Sequence, residues 1–134
     1  MADLTMVEGI GEAYLKKLKE AGFGSPKTFQ EKGATPKGRK EIAEKTGISE
    51  KLILRWVNHV DLFRINGIGG EYADLLEAAG VDTVPELAQR KPENLYPRLV
   101  ETNTTKKLVR KVPTQTQVED WIAQAKQLPR VVNY

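Results

Sequence analysis

The sequence predicts an all-α protein of two tandem helical bundles related by an internal repeat, and three observations carry that prediction. Residues Leu4–Gly22 align without gaps on Leu62–Gly80, matching Gly9-Ile10-Gly11 to Gly67-Ile68-Gly69, Tyr14 to Tyr72, Leu18 to Leu76 and Ala21-Gly22 to Ala79-Gly80. Self-similarity over such a length is read before anything else, because it sets how the rest of the chain is divided. Apolar residues then recur at spacings of three and four, and no stretch alternates as a strand would. Finally, glycines and Ser/Thr-Pro pairs fall where helices should stop and start.

Taken in order, the first helix begins near Glu12, carries Leu15 and Leu18 on one side, and ends at Gly22, where glycine accepts the left-handed conformation of a helix terminus. Ser25-Pro26 and Thr35-Pro36 mark the next two starts, since the hydroxyl accepts from a free first-turn amide and proline suits that turn. Leu52, Ile53, Trp56 and Val57 give the fourth helix its apolar side, and His59 sits near the join, read as a linker residue. The second copy opens a helix near Gly70, with Tyr72, Leu75, Leu76 and Ala79 on one side, and closes it at Gly80. Thr83-Val-Pro-Glu86 and Thr114-Gln-Thr-Gln117 read as capping boxes, in which hydroxyl and N3 side chain satisfy each other's backbone amides. Val118, Trp121, Ile122 and Ala125 complete the last helix, with Trp121 opposite Trp56 in the repeat; the Val131-Val132 pair after it is too short for a strand. Alignment of the later helices shifts, so the second copy holds an insertion around Asn103 to Lys111. The expected division is residues 1–60 and 61–134, the two bundles packing together as one compact unit. Both tryptophans and both repeat tyrosines, Tyr14 and Tyr72, are expected in the core.

Composition bounds the function. The chain has 134 residues, 40% hydrophobic and 29% charged, which suits a globular fold rather than a disordered or membrane-embedded one. Having no cysteine and one histidine, it lacks the residues for disulfide frameworks, Cys-based zinc sites and cysteine nucleophiles. Asp3 and Glu8 sit where a signal peptide would carry positive charge and an apolar run, so a cytoplasmic location without membrane insertion is the expectation. No spacing suggests a nucleophile with its base or paired carboxylates, so neither catalysis nor a small-molecule cofactor is expected. The net charge of +3 lies wholly in residues 1–58, the remainder being balanced. Two basic patches stand out, Lys37, Arg39, Lys40, Lys45, Lys51 and Arg55, and Lys106, Lys107, Arg110 and Lys111. Glu41, Glu44 and Glu50 interleave the first and suggest helix-face pairing.

The informative motif is an apolar residue, a spacer and Gly-Ile-Gly before a helix: Val7-Glu8-Gly9-Ile10-Gly11 and Ile65-Asn66-Gly67-Ile68-Gly69-Gly70. A tight turn between crossing helices needs the glycines, and the central isoleucine plugs the helix interface. The same turn presents backbone amides at the next helix N-terminus, where the dipole favours a phosphate oxygen. In these paired motifs the sequence resembles the helix-hairpin-helix superfamily, which implies sequence-independent contact with the phosphate backbone of nucleic acid. More closely, Asp61–Gly69, Gly80–Ala88, Pro92–Leu95 and Val118–Lys126 make nearly the whole chain similar to a bacterial family of tandem helix-hairpin-helix domains of unknown function. That resemblance implies a fold more than an activity.

Candidate phosphate-contacting residues are therefore Gly9, Ile10, Gly11, Lys16 and Lys17 at the first hairpin, Gly67, Ile68, Gly69 and Gly70 at the second, and Lys106, Lys107, Arg110 and Lys111. Glu8 and Glu12 flank the first hairpin and Glu71 follows the second, opposing an anion at both. Lys16 and Lys17 offset this at the first hairpin, whereas their counterparts are Asp74 and Leu75, so the first is the expected contact if either is used. The alternative expectation is a protein-interaction adaptor whose hairpins are purely structural and whose partner is another protein.

Overall fold

A computed structural model describes residues 4–134; Asp3, used above to argue against a signal peptide, lies outside them. These residues form a 3-10 turn at Leu4–Met6 and eight α-helices: α1 Glu12–Glu20, α2 Pro26–Gly33, α3 Pro36–Thr46, α4 Glu50–Leu62, α5 Gly70–Ala78, α6 Val84–Gln89, α7 Pro92–Lys106 and α8 Gln115–Gln127. No strand occurs among them, so the protein is all-α. No helix among the described residues is long and apolar enough to cross a membrane. The chain divides into two compact units, one of Met1–Asp61 with Val131–Tyr134, the other of Leu62–Arg130.

In the first unit, local chemistry sets the helix starts. Ser25 Oγ accepts from the Thr28 amide at 3.1 Å and Thr35 Oγ1 from the Gly38 amide at 3.1 Å, each followed by proline at the first helical position. Gly47, at φ 74°, ends α3 and donates its amide to Ala43 O at 2.8 Å. Leu4, Leu18, Phe29, Ile42, Ile53, Trp56 and Val57 have no solvent exposure. α2 packs on α3, and its last residue, Gly33, passes so close to Val57 of α4 that a β-carbon there would overlap the valine methyl at 2.4 Å. Glu41 bridges Lys32 and Lys45, the helix-face pairing that the interleaved charges suggested. These two contacts hold the Glu41 carboxylate below its usual range.

Three expectations need correction here. Arg39 does not belong to a surface patch: it is 6% exposed, and its guanidinium donates to Gly33 O and to Asn133 O, both at 2.8 Å. A buried guanidinium requires such carbonyl partners. His59 is no linker residue either, being fully buried on α4. The segment 131–134, expected with the second bundle, joins the first because its backbone supplies the partner Arg39 needs.

The second unit gathers α5 to α8 around Leu62, Ile65, Leu75, Leu76, Leu87, Leu95, Leu99, Val118 and Trp121, with α8 packed on both α6 and α7. Thr114 and Gln117 complete the expected capping box. Thr83 caps α6 through the Glu86 amide, but its box is only half formed. Instead of reaching back to the Thr83 amide, the Glu86 side chain accepts from the Thr83 hydroxyl at 3.3 Å and meets the Asp82 carboxyl. Hydrogen bonding to Asp82, then burial, raises the Glu86 carboxyl above its ordinary value. At the other end of α5, Arg98 Nε donates to Ala79 O at 2.6 Å and Arg90 Nη2 to Gly80 O at 3.1 Å, placing positive charge on the free carbonyls of a helix C-terminus.

Candidate functional site

Both Gly-Ile-Gly hairpins are built alike. In the first, the Val7 amide donates to Leu4 O and the Ile10 amide to Val7 O; in the second, Ile65 donates to Leu62 O and Ile68 to Ile65 O, all four at 3.1 Å. Gly9 at φ 97° and Gly67 at φ 100° take the left-handed conformation that closes each turn. Space adds a second constraint, strict at Gly67 and slight at Gly9. A β-carbon would stand 3.4 Å from the Trp56 indole nitrogen at Gly9 and 2.9 Å from that of Trp121 at Gly67. The central isoleucines are buried as the motif requires, Ile10 3% and Ile68 5% exposed. Each tryptophan carries the repeat tyrosine on its ring, Tyr14 with Trp56 at 5.0 Å and Tyr72 with Trp121 at 5.2 Å between centroids. The tryptophans are core, as expected, while both tyrosines are only half-buried.

The helices that follow are open at their N-termini. Gly11 and Gly69 cap α1 and α5 without a side-chain hydrogen bond, so no cap side chain satisfies the first-turn amides. The surroundings of the two turns then diverge. At the first, Glu8 and Glu12 are exposed; Lys16 and Lys17 are exposed on α1, with Lys17 Nζ 6.0 Å over the Tyr14 ring. At the second, Gly67, Gly69, Gly70, Glu71 and Tyr72 line a shallow cavity of about 370 Å³ together with Arg110 and Lys111.

The loop after α7 delivers those two cations. Lys107 turns left-handed at φ 51° to end the helix, and Asn103 clamps the returning strand of chain, accepting from the Val109 amide at 3.0 Å and donating to Val109 O at 3.1 Å. Tyr72 then donates its hydroxyl to Lys111 O at 2.9 Å. The basic cluster is thereby split. Lys106 lines a different cavity, with Ala78, Arg98 and Glu101, and Lys107 is exposed at the cap. Sequence reasoning missed one further contributor, Gln124 of α8, which accepts from the Asn66 amide at 2.9 Å and donates to Asn66 O at 3.1 Å, gripping the second turn. In the alignment that pairs Trp56 with Trp121, the position opposite Gln124 is the buried His59. Alignment of the copies was the available signal for both. Among the described residues no group of three or more histidine, cysteine, aspartate or glutamate side chains is placed to hold a metal.

These features define an all-helical protein with two glycine hairpins, each backed by a tryptophan and opening onto a helix N-terminus. The chain belongs to the family described as a domain of unknown function, DUF4332, whose profile matches residues 8–128. No curated protein and no solved structure matches it.

Proposed function

We propose that this chain is a non-enzymatic cytoplasmic module of two helix-hairpin-helix units that binds the phosphate backbone of nucleic acid through its second hairpin. The supporting observation is the cavity in which Arg110 and Lys111 stand beside Gly67, Gly69 and Gly70. Amides without a side-chain cap at the start of α5 and two cations on the facing loop make a positive concavity at a helix N-terminus, the local chemistry that favours a phosphate oxygen. Glu71 at its edge weakens the field, which fits contact with a highly charged polymer by a few phosphates rather than tight capture of a free anion. This shifts the contact from the first hairpin, expected from sequence, to the second. Contact of this kind carries no base information, so binding should depend on salt and little on sequence.

The test is fluorescence anisotropy of labelled duplex and single-stranded DNA at low and moderate salt, with the parent chain, R110E/K111E and K16E/K17E. The expected result is saturable binding in the range of about 10⁻⁴ to 10⁻⁶ M that weakens with salt, is abolished by R110E/K111E, and is only reduced by K16E/K17E. Absence of binding at low salt overturns the proposal. The exposed Glu8 and Glu12 around the first hairpin support the second reading, a protein-interaction adaptor; a pull-down would then follow.

A further inference from the structure

We infer that the first unit carries a seat for an extended peptide, one with an aliphatic residue two positions before a tyrosine, and that segment 131–134 occupies this seat in cis. The segment is in no helix or strand, yet three successive residues of it are held. Val132 is 2% exposed. Asn133 presents its main chain to the unit: its amide donates to Ala34 O at 2.7 Å, and its carbonyl accepts from Arg39 Nη2 at 2.8 Å. Its own side chain is exposed, so that position tolerates any residue. Tyr134 donates its hydroxyl to Asn58 Oδ1 at 2.8 Å, and the Arg39 guanidinium lies 6.0 Å from its ring centroid.

The receiving groups form a built site. Arg39 and Asn58, 6% and 5% exposed, are polar side chains held inside the unit and aimed at the segment. Arg39 is fixed in that direction by its second bond, to Gly33 O. The carbonyl of Ala34 is free to accept because α2 ends there and α3 begins two residues on. Main-chain bonds to the middle residue with side-chain pockets on either side is the pattern by which folded domains read extended peptides.

Several properties mark the segment as a docked ligand rather than a core element. A single side chain, Val132, is fully buried; Tyr134 remains 50% exposed. The other holds are a few part-buried hydrogen bonds and one ring contact, few enough to open locally without global unfolding. Because the segment is tethered, its effective concentration at the seat is high, and an incoming peptide binds appreciably only when the tethered copy is weakened or outcompeted. The kind of partner is thus defined: a chain with an exposed extended stretch reading aliphatic, any residue, tyrosine.

The experiment uses the full chain, a V132S/Y134A variant whose own segment is loosened, and the same variant with R39Q added. The probe is a labelled, carboxyamidated peptide of sequence Pro-Arg-Val-Val-Asn-Tyr, followed by anisotropy, with circular dichroism recorded for each protein. V132S/Y134A is expected to keep the helical spectrum and to bind the peptide at least about tenfold more tightly than the parent, whose tethered copy competes. Adding R39Q should reverse that gain by about tenfold while the spectrum stays helical. Equal binding by parent and loosened chain, or no binding by either, overturns the inference. Loss of the helical spectrum in V132S/Y134A overturns it too, since the segment would then be part of the core.

Discussion

The two hairpins share a backbone and an aromatic backing and differ in the polar groups around them. Gly9 and Gly67 have nearly the same left-handed dihedral, the same three-residue hydrogen bonds and each a tryptophan behind it, Trp56 and Trp121. Around the first turn, Glu8 and Glu12 stand exposed. Around the second, Gln124 grips the Asn66 backbone, and the loop after α7 brings Arg110 and Lys111 to the glycines. The comparison teaches that Gly-Ile-Gly encodes a way of crossing helices, while what the turn is used for depends on neighbours that arrive from elsewhere in the chain. The two cations beside the second turn, Arg110 and Lys111, come from the segment where alignment of the copies places an insertion.

Substituting the turn glycines gives the sharpest test of that shared backbone. Gly67→Ala should cost about 3 kcal/mol, the sum of ~1–2 kcal/mol for a left-handed alanine and the overlap with a rigid indole at 2.9 Å. Gly9→Ala meets the indole only at van der Waals distance, 3.4 Å, and should cost about 1–2 kcal/mol. Urea melts that reverse this order would break the reading that the second turn is the tighter.

A smaller effect separates the hairpins by their grip. Gln124→Ala removes two hydrogen bonds to Asn66 and should lower stability by about 1–2 kcal/mol. Amide exchange at Asn66 should quicken while that at Ile10 in the first hairpin stays unchanged. Equal acceleration at both turns would show that the two respond together.

The smallest effect concerns the caps that follow each first helix, Ser25 and Thr83. Ser25 is paired with the uncharged Thr28, through both its amide and its hydroxyl. Thr83 stands between two carboxyls, Asp82 and Glu86. The Asp82 contact and burial raise the folded-state value of Glu86, so the folded chain holds that proton more tightly than the unfolded one. Stability from this group is therefore full below the ordinary glutamate range and falls as pH rises through the raised value. Glu86→Gln should remove this fall and leave the variant slightly more stable than the parent at neutral pH, by about a few tenths of a kcal/mol at so exposed a position, read from melts across pH. An unchanged pH profile would remove the distinction between the two caps.

Much of this fold was legible because helix boundaries obey rules that act within three or four residues. Ser25, Thr35 and Thr114 cap as their spacing requires, Gly22 and Gly80 take left-handed dihedrals at helix ends, and Trp56 and Trp121 fall on the buried side of their helices. Thr83 shows the limit of such rules, since Glu86 fits the capping pattern yet its carboxyl turns to Asp82, a neighbour that the pattern does not weigh.

The sequence by itself thus determined the helical class, the glycine turns and the apolar sides of the helices, because these depend on backbone conformation and on periodicity along one chain segment. Tertiary structure alone decided three things. It took Arg39 from an apparent surface patch into the interior, where Asn133, far along the chain, supplies its partner. It separated Lys106 from Arg110 and Lys111, because the chain turns left-handed at Lys107 and Tyr72 then holds the loop by the Lys111 carbonyl. It buried His59 at the position where Gln124 grips the other hairpin. Each outcome rests on a hydrogen bond or packing contact between residues distant in sequence, and such contacts leave no periodic or local trace from which they can be read.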